Sequence, residues 1–165
     1  MEASNFIKND GGRSAAGFKG DTGDCVVRAI TIAAGLDSGD GYRAIYNLMR
    51  DRNAEYAATR RGKVAKKLKK KGSTPRNKNF KAVYHQLILD LGFEWTPTMS
   101  IGSGTTVHLR SDELPEGNLI CRLSKHLAAV KDGVLHDNSN CSREGTRAVY
   151  GYYRLDELNT ELLPS

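Results

Sequence analysis

The stretch "HLAAVKDGVLHD", residues 126–137, decides the fold of the second half of the chain. It places Asp132-Gly133 between two apolar segments, which is a strong signal for a two-residue type I′ turn of a β-hairpin. A turn of this type fixes the register of the two strands, and here it pairs Ala129 with His136. The stretch therefore predicts an antiparallel hairpin with known pairing.

Alternation of side chains along these strands puts a histidine and a carboxylate on one face. His126 shares its face with Asp137, whereas His136 points to the opposite face. Diagonal neighbours across a hairpin lie roughly 7–8 Å apart at Cα, and the small Ala128 leaves room between them. We expect the Asp137 carboxylate to accept a hydrogen bond from one imidazole nitrogen of His126, which leaves the other nitrogen free to act as a base.

Outward from the hairpin, helical patterns come first in the chain and strand patterns second. Apolar spacing predicts helices over 25–34, 41–58 and 80–93, and strands over 93–99, 118–124, 126–132, 133–139 and 147–154. Residues 1–24 are rich in glycine and are predicted to form a loop. The order favours an α+β fold, with N-terminal helices packed on a C-terminal antiparallel sheet. A chain of 165 residues is expected to form a single domain, residues 1–165.

A cysteine opens the first predicted helix, directly after the loop sequence "GDTGD". Asp24 is predicted to cap this helix. The helix dipole lowers the pKa of a thiol at this position, and a nearby histidine lowers it further. Cys25, His126 and Asp137 thus form a candidate set of nucleophile, general base and orienting carboxylate.

Structural alternatives stand beside each of these three roles. Cys25 is alternatively a small buried residue at a helix start, His126 a strand histidine and Asp137 a carboxylate at a strand end. Asn138 is the rival orienting residue, because a β-bulge would exchange it with its neighbour. Cys141 lies in a polar loop, and no activating partner for it is apparent in the sequence.

The cysteines and histidines do not predict a metal site. Three cysteines at wide spacing form neither a disulfide framework nor a CxxC zinc motif. A zinc site from His126 and His136 is disfavoured because the two side chains face opposite ways. We expect no metal, no other cofactor and reduced thiols.

Positive charge is concentrated in one segment, Arg60–Lys81, which holds 11 Lys and Arg and no acid. The net charge of the chain is +6, and the remainder of the chain is mildly acidic. We predict a basic loop or lid at about 59–79, either as a mobile loop or as a frayed helix. It is either a solvated segment or a contact surface for nucleic acid or an acidic protein partner. As a contact surface, the segment belongs either to a non-catalytic binding protein or to an enzyme that uses it as a substrate-docking lid.

The N-terminus lacks the apolar region of a signal peptide, and no apolar run is long enough to span a membrane. These observations predict a cytoplasmic protein with no membrane partner.

The stretches "TGDCVVRAI", "LPEGNLICRLSKHLAAVKDGVLHD" and "RAVYGYYR" carry a family resemblance. A cysteine that opens a helix after a Gly/Asp-rich loop, followed by a late strand histidine and an aspartate, resembles the papain-like cysteine peptidase fold. The likeness is to small bacterial and phage members, such as the bacteriocin leader peptidases, and to a group of small uncharacterised phage-encoded proteins.

This resemblance implies a thiol hydrolase of the peptidase or amidase/isopeptidase type, acting on a protein or peptide. Cys25 would be the nucleophile, His126 the general base and Asp137 the orienting residue. Deamidase and transglutaminase-like transferase variants stay open. A phage origin would imply the host cytoplasm and a role in host takeover or anti-defence.

The chain departs from the family pattern at the oxyanion hole. Papain-like enzymes usually carry a glutamine six residues before the cysteine, and this chain has Lys19 there and no glutamine in residues 1–24. We expect an oxyanion hole that combines the Cys25 backbone N–H with Thr22 or Lys19.

Overall fold

The computed structural model describes residues 5–19, 23–76, 78–99, 104 and 107–164. The elements, in chain order, are β1 (Phe6–Lys8), α1 (Cys25–Ala33), α2 (Gly39–Thr59), α3 (Lys63–Lys71), α4 (Lys81–Asp90), β2 (Phe93–Pro97), β3 (Asn118–Leu123), β4 (His126–Lys131), β5 (Val134–Asp137), β6 (Gly151–Leu155) and a 3-10 helix (Glu157–Leu162). Four helices and one six-stranded sheet in this part of the chain confirm the α+β class.

The sheet has the strand order β1-β5-β4-β3-β6-β2 and is mixed rather than antiparallel. β1 pairs in parallel with β5, while all other neighbours are antiparallel. The predictions of a wholly antiparallel sheet and of a loop over residues 1–24 are therefore wrong at β1. This strand has only three residues, too few to show an apolar alternation, and its place is set by backbone pairing with a strand far along the chain.

The hairpin of β4 and β5 has the predicted register. Ala129 lies opposite His136. Asp132 and Gly133 both have positive φ, 49° and 78°, as a type I′ turn requires. The turn therefore fixes where each β5 side chain points, including that of Asp137 at the end of the strand.

Both faces of the sheet are buried. Leu127 and Ala129 belong to a core shared with α1, α2 and α4. Ala128 and Val130 alternate to the other face and pack beneath the loops that precede β3 and β6. Since α1 packs along β4, its first turn lies near the end of the sheet where β4 begins and β5 ends.

The basic run is more ordered than the predicted loop or lid over 59–79. Residues Lys63–Lys71 form a regular helix, α3, because Ala65 and Leu68 lie three positions apart and are buried on one face. This face packs against α2. The lysines of α3 lie on its exposed faces.

The other predicted elements are present with shifted ends. α2 runs two residues further toward the N-terminus than predicted and one further toward the C-terminus. The last predicted strand, 147–154, starts only at Gly151, and Ala148 forms an isolated bridge with His108 instead. None of the described helices combines the length and the apolar character needed to cross a membrane.

Candidate active site

Cys25 is the first residue of α1 and lies in the wall of a cleft of about 840 Å³. His126 lines the same cleft, and hydrogen bonding to His126 and to the Leu127 backbone N–H is among the causes that lower the pKa of the thiol. The nucleophile and the base of the predicted set therefore lie at one cleft, at the junction between the helix layer and the sheet.

The histidine and the aspartate of the hairpin are in direct contact. His126 Nε2 lies 2.6 Å from Asp137 Oδ2. This nitrogen is occupied by the carboxylate, so Nδ1 is the one left for the thiol. The predicted contact between these two side chains is present, and it arises because His126 begins β4 and Asp137 ends β5.

The pKa values of the three groups shift in the directions that favour a charged pair. Burial raises the pKa of the Cys25 thiol, but hydrogen bonding to His126, the imidazolium charge, the Leu127 N–H and the Arg28 charge outweigh burial and lower it. Burial lowers the pKa of His126, yet its hydrogen bonds to Asp137 and the two nearby thiols raise it to about 11. Both pKa shifts act in the direction of a thiolate–imidazolium pair.

Asp137 is held in place from several directions. Burial raises the pKa of its carboxyl, but His126, the Asn138 backbone N–H and the Arg28 charge lower it overall. The Asn138 N–H donates to Oδ1 at 2.7 Å. Asn138 therefore supports the carboxylate through its backbone, and the alternative of a β-bulge that makes it the orienting residue is wrong. On the backbone side, the Asn9 N–H just after β1 donates to the Asp137 carbonyl at 2.9 Å.

Asp24 stands at the N-cap position of α1 but makes no side-chain cap hydrogen bond, so its predicted capping role is wrong. Its buried carboxylate accepts from Arg13 Nη1 at 3.0 Å and from Arg28 Nε at 2.9 Å. The Tyr42 hydroxyl also donates to it. Charge-assisted bonds from two guanidinium groups stabilise a buried carboxylate more than one backbone N–H does.

Arg28 connects this cluster to the site. Its Nη1 donates to Asp137 Oδ1 at 3.0 Å. We refer to Arg13, Asp24, Arg28 and Asp137 as the buried charge network. The network joins the start of α1 to the end of β5, which are the two elements that carry the thiol and the carboxylate.

Cys141 does have a partner, which corrects the expectation drawn from its polar loop. Its Sγ–H donates to Asp137 Oδ2 at 3.4 Å, the same oxygen that His126 contacts. Arg147 holds this loop, with Nη1 3.4 Å from the Cys141 carbonyl and Nη2 2.8 Å from the Ser124 carbonyl, next to the turn before His126. A second thiol therefore lies beside the orienting carboxylate.

Ligand atoms of His126, Asp137 and Cys141 lie within 4.8 Å of one another, close enough for all three to contact one metal ion. The same carboxylate is already engaged by both His126 and Arg28. His136 contacts Asn9 on the opposite face, so it contributes nothing to such a site.

Lys19 and Thr22 are the two alternatives predicted to complete the oxyanion hole with the Cys25 N–H. Lys19 does not line the cleft, and its carbonyl oxygen accepts from Arg13 Nη2 at 2.9 Å. Thr22 lies outside the described residues. No side chain of the described residues caps the start of α1.

The cleft itself is lined by apolar and basic side chains around Cys25 and His126. The apolar part includes Val26, Phe80, Tyr84, Leu123 and Leu127. The charged lining residues are Arg28, Lys78, Lys81, Arg122 and Lys125, and none of the described lining residues is acidic.

Arg28 contacts Asp137 but is absent from the predicted set, and the sequence does contain a signal for its position. Arg28 is the one charge in the otherwise apolar helix "CVVRAITIA", four residues after Asp24. This spacing predicts a pair on one helix face. Arg13 and Cys141 left no comparable signal, because their contacts depend on loops that the sequence pattern does not place.

Comparison of the chain with protein-family models, with curated proteins and with solved structures finds no match in any of the three.

Proposed function

We propose that this protein is a papain-like thiol hydrolase of the peptidase or amidase/isopeptidase type. The observation that carries the proposal is that Cys25 and His126 line one cleft while the His126 imidazole lies 2.6 Å from the Asp137 carboxylate. The order of elements supports it as well, because the thiol begins a helix while the base and the carboxylate stand on the sheet.

In the proposed reaction the Cys25 thiolate attacks the carbonyl carbon of an amide. The carbonyl π electrons move to the oxygen, which the N–H groups at the start of α1 stabilise. The tetrahedral intermediate then expels the amine, which takes a proton from the His126 imidazolium, and a thioester remains on Cys25. His126 next removes a proton from water, hydroxide adds to the thioester, and the acid leaves as the thiolate returns.

Asp137 keeps the imidazole in the tautomer and the orientation that this cycle needs. Its negative charge favours the imidazolium, and the hydrogen bond at Nε2 fixes the ring with Nδ1 toward the thiol. Arg28 and Asp24 act on Asp137 and are therefore positioning residues rather than catalytic ones.

The first test is the rate of iodoacetamide alkylation at each cysteine against pH, read by mass spectrometry. Wild type is compared with His126→Ala and with His136→Ala, a matched control on the opposite face. The proposal expects fast labelling of Cys25 at pH 6 that only His126→Ala slows. Labelling that rises only near the ordinary thiol pKa of about 8.5, unchanged in all three proteins, would overturn the enzyme proposal.

Turnover is then tested with peptide amides and isopeptides. A thioester adduct on Cys25 that forms in the wild type and is absent in both His126→Ala and Cys25→Ser is the expected intermediate. Transfer of the acyl group to an added amine instead of water would identify the transferase variant.

A second candidate function is binding without catalysis. The observation that favours it is α3, an ordered helix with six exposed lysines, Lys63, Lys66, Lys67, Lys69, Lys70 and Lys71. In that case Cys25→Ser retains full affinity for a polyanion, and the affinity falls steeply with salt. The cytoplasmic location, and a host-takeover or anti-defence role if the chain is phage-encoded, stay predictions.

A further inference from the structure

Four exposed or partly exposed cations surround the mouth of the cleft. Lys78 and Lys81 flank Phe80 at the start of α4, while Arg122 in β3 and Lys125 lie shortly before His126. We call Lys78, Lys81, Arg122 and Lys125 the basic rim. None of the four forms an ion pair with a carboxylate in the described structure, unlike Arg28, whose charge is neutralised by the buried network.

The rim combines two separate parts of the chain. Lys78 and Lys81 belong to the basic segment, whereas Arg122 and Lys125 lie outside it. Arg122 lies over the Trp95 ring, 5.5 Å from its centroid, which orients the guanidinium. The start of α4 carries no side-chain cap, and its N–H groups add positive partial charge to the same edge.

The positive surface extends from the rim along α3. Lys71 at the end of α3 donates to the Lys78 carbonyl and lies 5.3 Å from the Phe80 ring centroid. The lysines of α3 and the rim are therefore neighbours, and the exposed charge of Arg60–Lys81 continues into the cleft. A bound chain with negative charges along its length would meet cations over this whole distance.

We propose that the cleft takes an acidic polypeptide segment, with Asp or Glu side chains beside the bond that Cys25 attacks. This inference rests on the proposed function and names its substrate class. The apolar wall of Val26, Tyr84 and Leu127 accommodates side chains of a peptide, and the thiolate–imidazolium pair requires a carbonyl carbon to attack. A nucleic acid satisfies the rim but offers no amide at the thiol.

The experiment uses the full chain and two fluorescent peptides of equal length, one alternating Glu and Ala and the other alternating Gln and Ala. Binding is followed by anisotropy, and occupancy of the cleft by protection of Cys25 from iodoacetamide. The double variant Lys81→Gln/Lys125→Gln removes rim charge. Lys131→Gln is the control, because Lys131 ends the strand that Lys125 precedes.

We expect the Glu peptide to bind about tenfold or more tightly than the Gln peptide at low salt. We also expect it to protect Cys25, and the double variant but not Lys131→Gln to lose this preference. Equal binding of both peptides, or binding without protection of Cys25, would overturn the proposal. Stronger protection by a single-stranded oligonucleotide than by the Glu peptide would assign the rim to nucleic acid instead.

The two proposals fail in distinguishable ways. Failure of the enzyme proposal appears as a slow, His126-independent Cys25 in the absence of peptide. Failure of the substrate class appears as loss of the Glu preference while Cys25 keeps its fast, His126-dependent alkylation.

Discussion

The buried charge network and the basic rim lie on two sides of the same thiol, and they treat charge in opposite ways. In the network, Asp24 is 0% and Arg28 6% exposed, and each charge contacts an opposite one within 3.0 Å. In the rim, all four charges are positive, and none of them has a carboxylate partner among the described residues. A group that is paired inside the protein holds elements together, whereas a group that is left unpaired at a cleft is available to a ligand.

This difference has an energetic basis. A buried charge that loses its partner stays desolvated, which is costly, while an exposed lysine that loses its neighbour is simply hydrated. Substitutions in the network should therefore be measured mainly as stability and thiol reactivity, and those in the rim mainly as affinity.

The largest expected effect is on stability. Arg28→Met leaves Asp24 and Asp137 with one guanidinium fewer between them, so the free energy of unfolding should fall by about 3–5 kcal/mol. Lys125→Met in the rim should change it by no more than about 0.5 kcal/mol. Urea denaturation of both variants measures the contrast, and equal small losses would remove the distinction between the two regions.

The next effect concerns the thiol. Asp137→Asn removes the negative charge that keeps His126 protonated, so the pKa of Cys25 should rise. Alkylation of Cys25 at pH 6 should then slow, by at most about tenfold for each pH unit of that rise. Asn138→Ala is the control, because only the backbone of Asn138 contacts the carboxylate. An unchanged rate in Asp137→Asn would mean that the carboxylate does not act through the imidazole.

Stability should also depend on pH through the same pair. The lowered pKa of Asp137 contributes stability that is present above its ordinary value of 3.8 and lost as the pH falls through the folded-state pKa. The raised pKa of His126 contributes stability that is present below its ordinary value of 6.5 and lost as the pH rises toward about 11. Both contributions are fully present between pH 3.8 and pH 6.5. The free energy of unfolding of the wild type should therefore exceed that of Asp137→Asn most in this range.

Urea midpoints of the two proteins from acid to alkaline pH provide the measurement. The difference between the free energies of unfolding of the two proteins should decline on the acid side, with a slope of up to about 1.4 kcal/mol per pH unit for one proton. Rim variants such as Lys81→Gln should follow the wild-type curve in parallel. A constant difference across the range would contradict the linkage.

The smallest effect is expected at Cys141. Serine keeps a donor for Asp137 Oδ2, so Cys141→Ser should change the alkylation rate of Cys25 by no more than about threefold. A slowing as large as that in His126→Ala would instead make Cys141 part of the reactive machinery. Mass spectrometry of the labelled cysteines distinguishes the two results.

The parts of the site that the sequence predicts are those set by local rules. The turn at Asp132-Gly133 fixes the hairpin register, and the register brings Asp137 to His126. The apolar spacing after Cys25 fixes where α1 begins. Each of these depends on residues within a few positions of one another.

The parts that could not be predicted depend on distant segments. The Arg28–Asp137 ion pair joins residues 109 positions apart. The lysine-rich α3 is a helix because it packs on α2, a tertiary contact that overrides its polar composition. The role of Asp24 changes from cap to buried ion because Arg13 reaches it from a loop without periodicity.

The three-residue strand β1 has a consequence for the time at which the site forms during synthesis. Asn9, which follows β1, contacts His136, 127 positions later in the chain, and its N–H also holds the Asp137 carbonyl. The N-terminal segment can therefore dock only after β5 has been synthesised, and pairing between such distant segments is slow. A nascent or truncated chain that ends before residues 126–137 would carry Cys25 without the His126–Asp137 pair, and the contacts of Asn9 would form last.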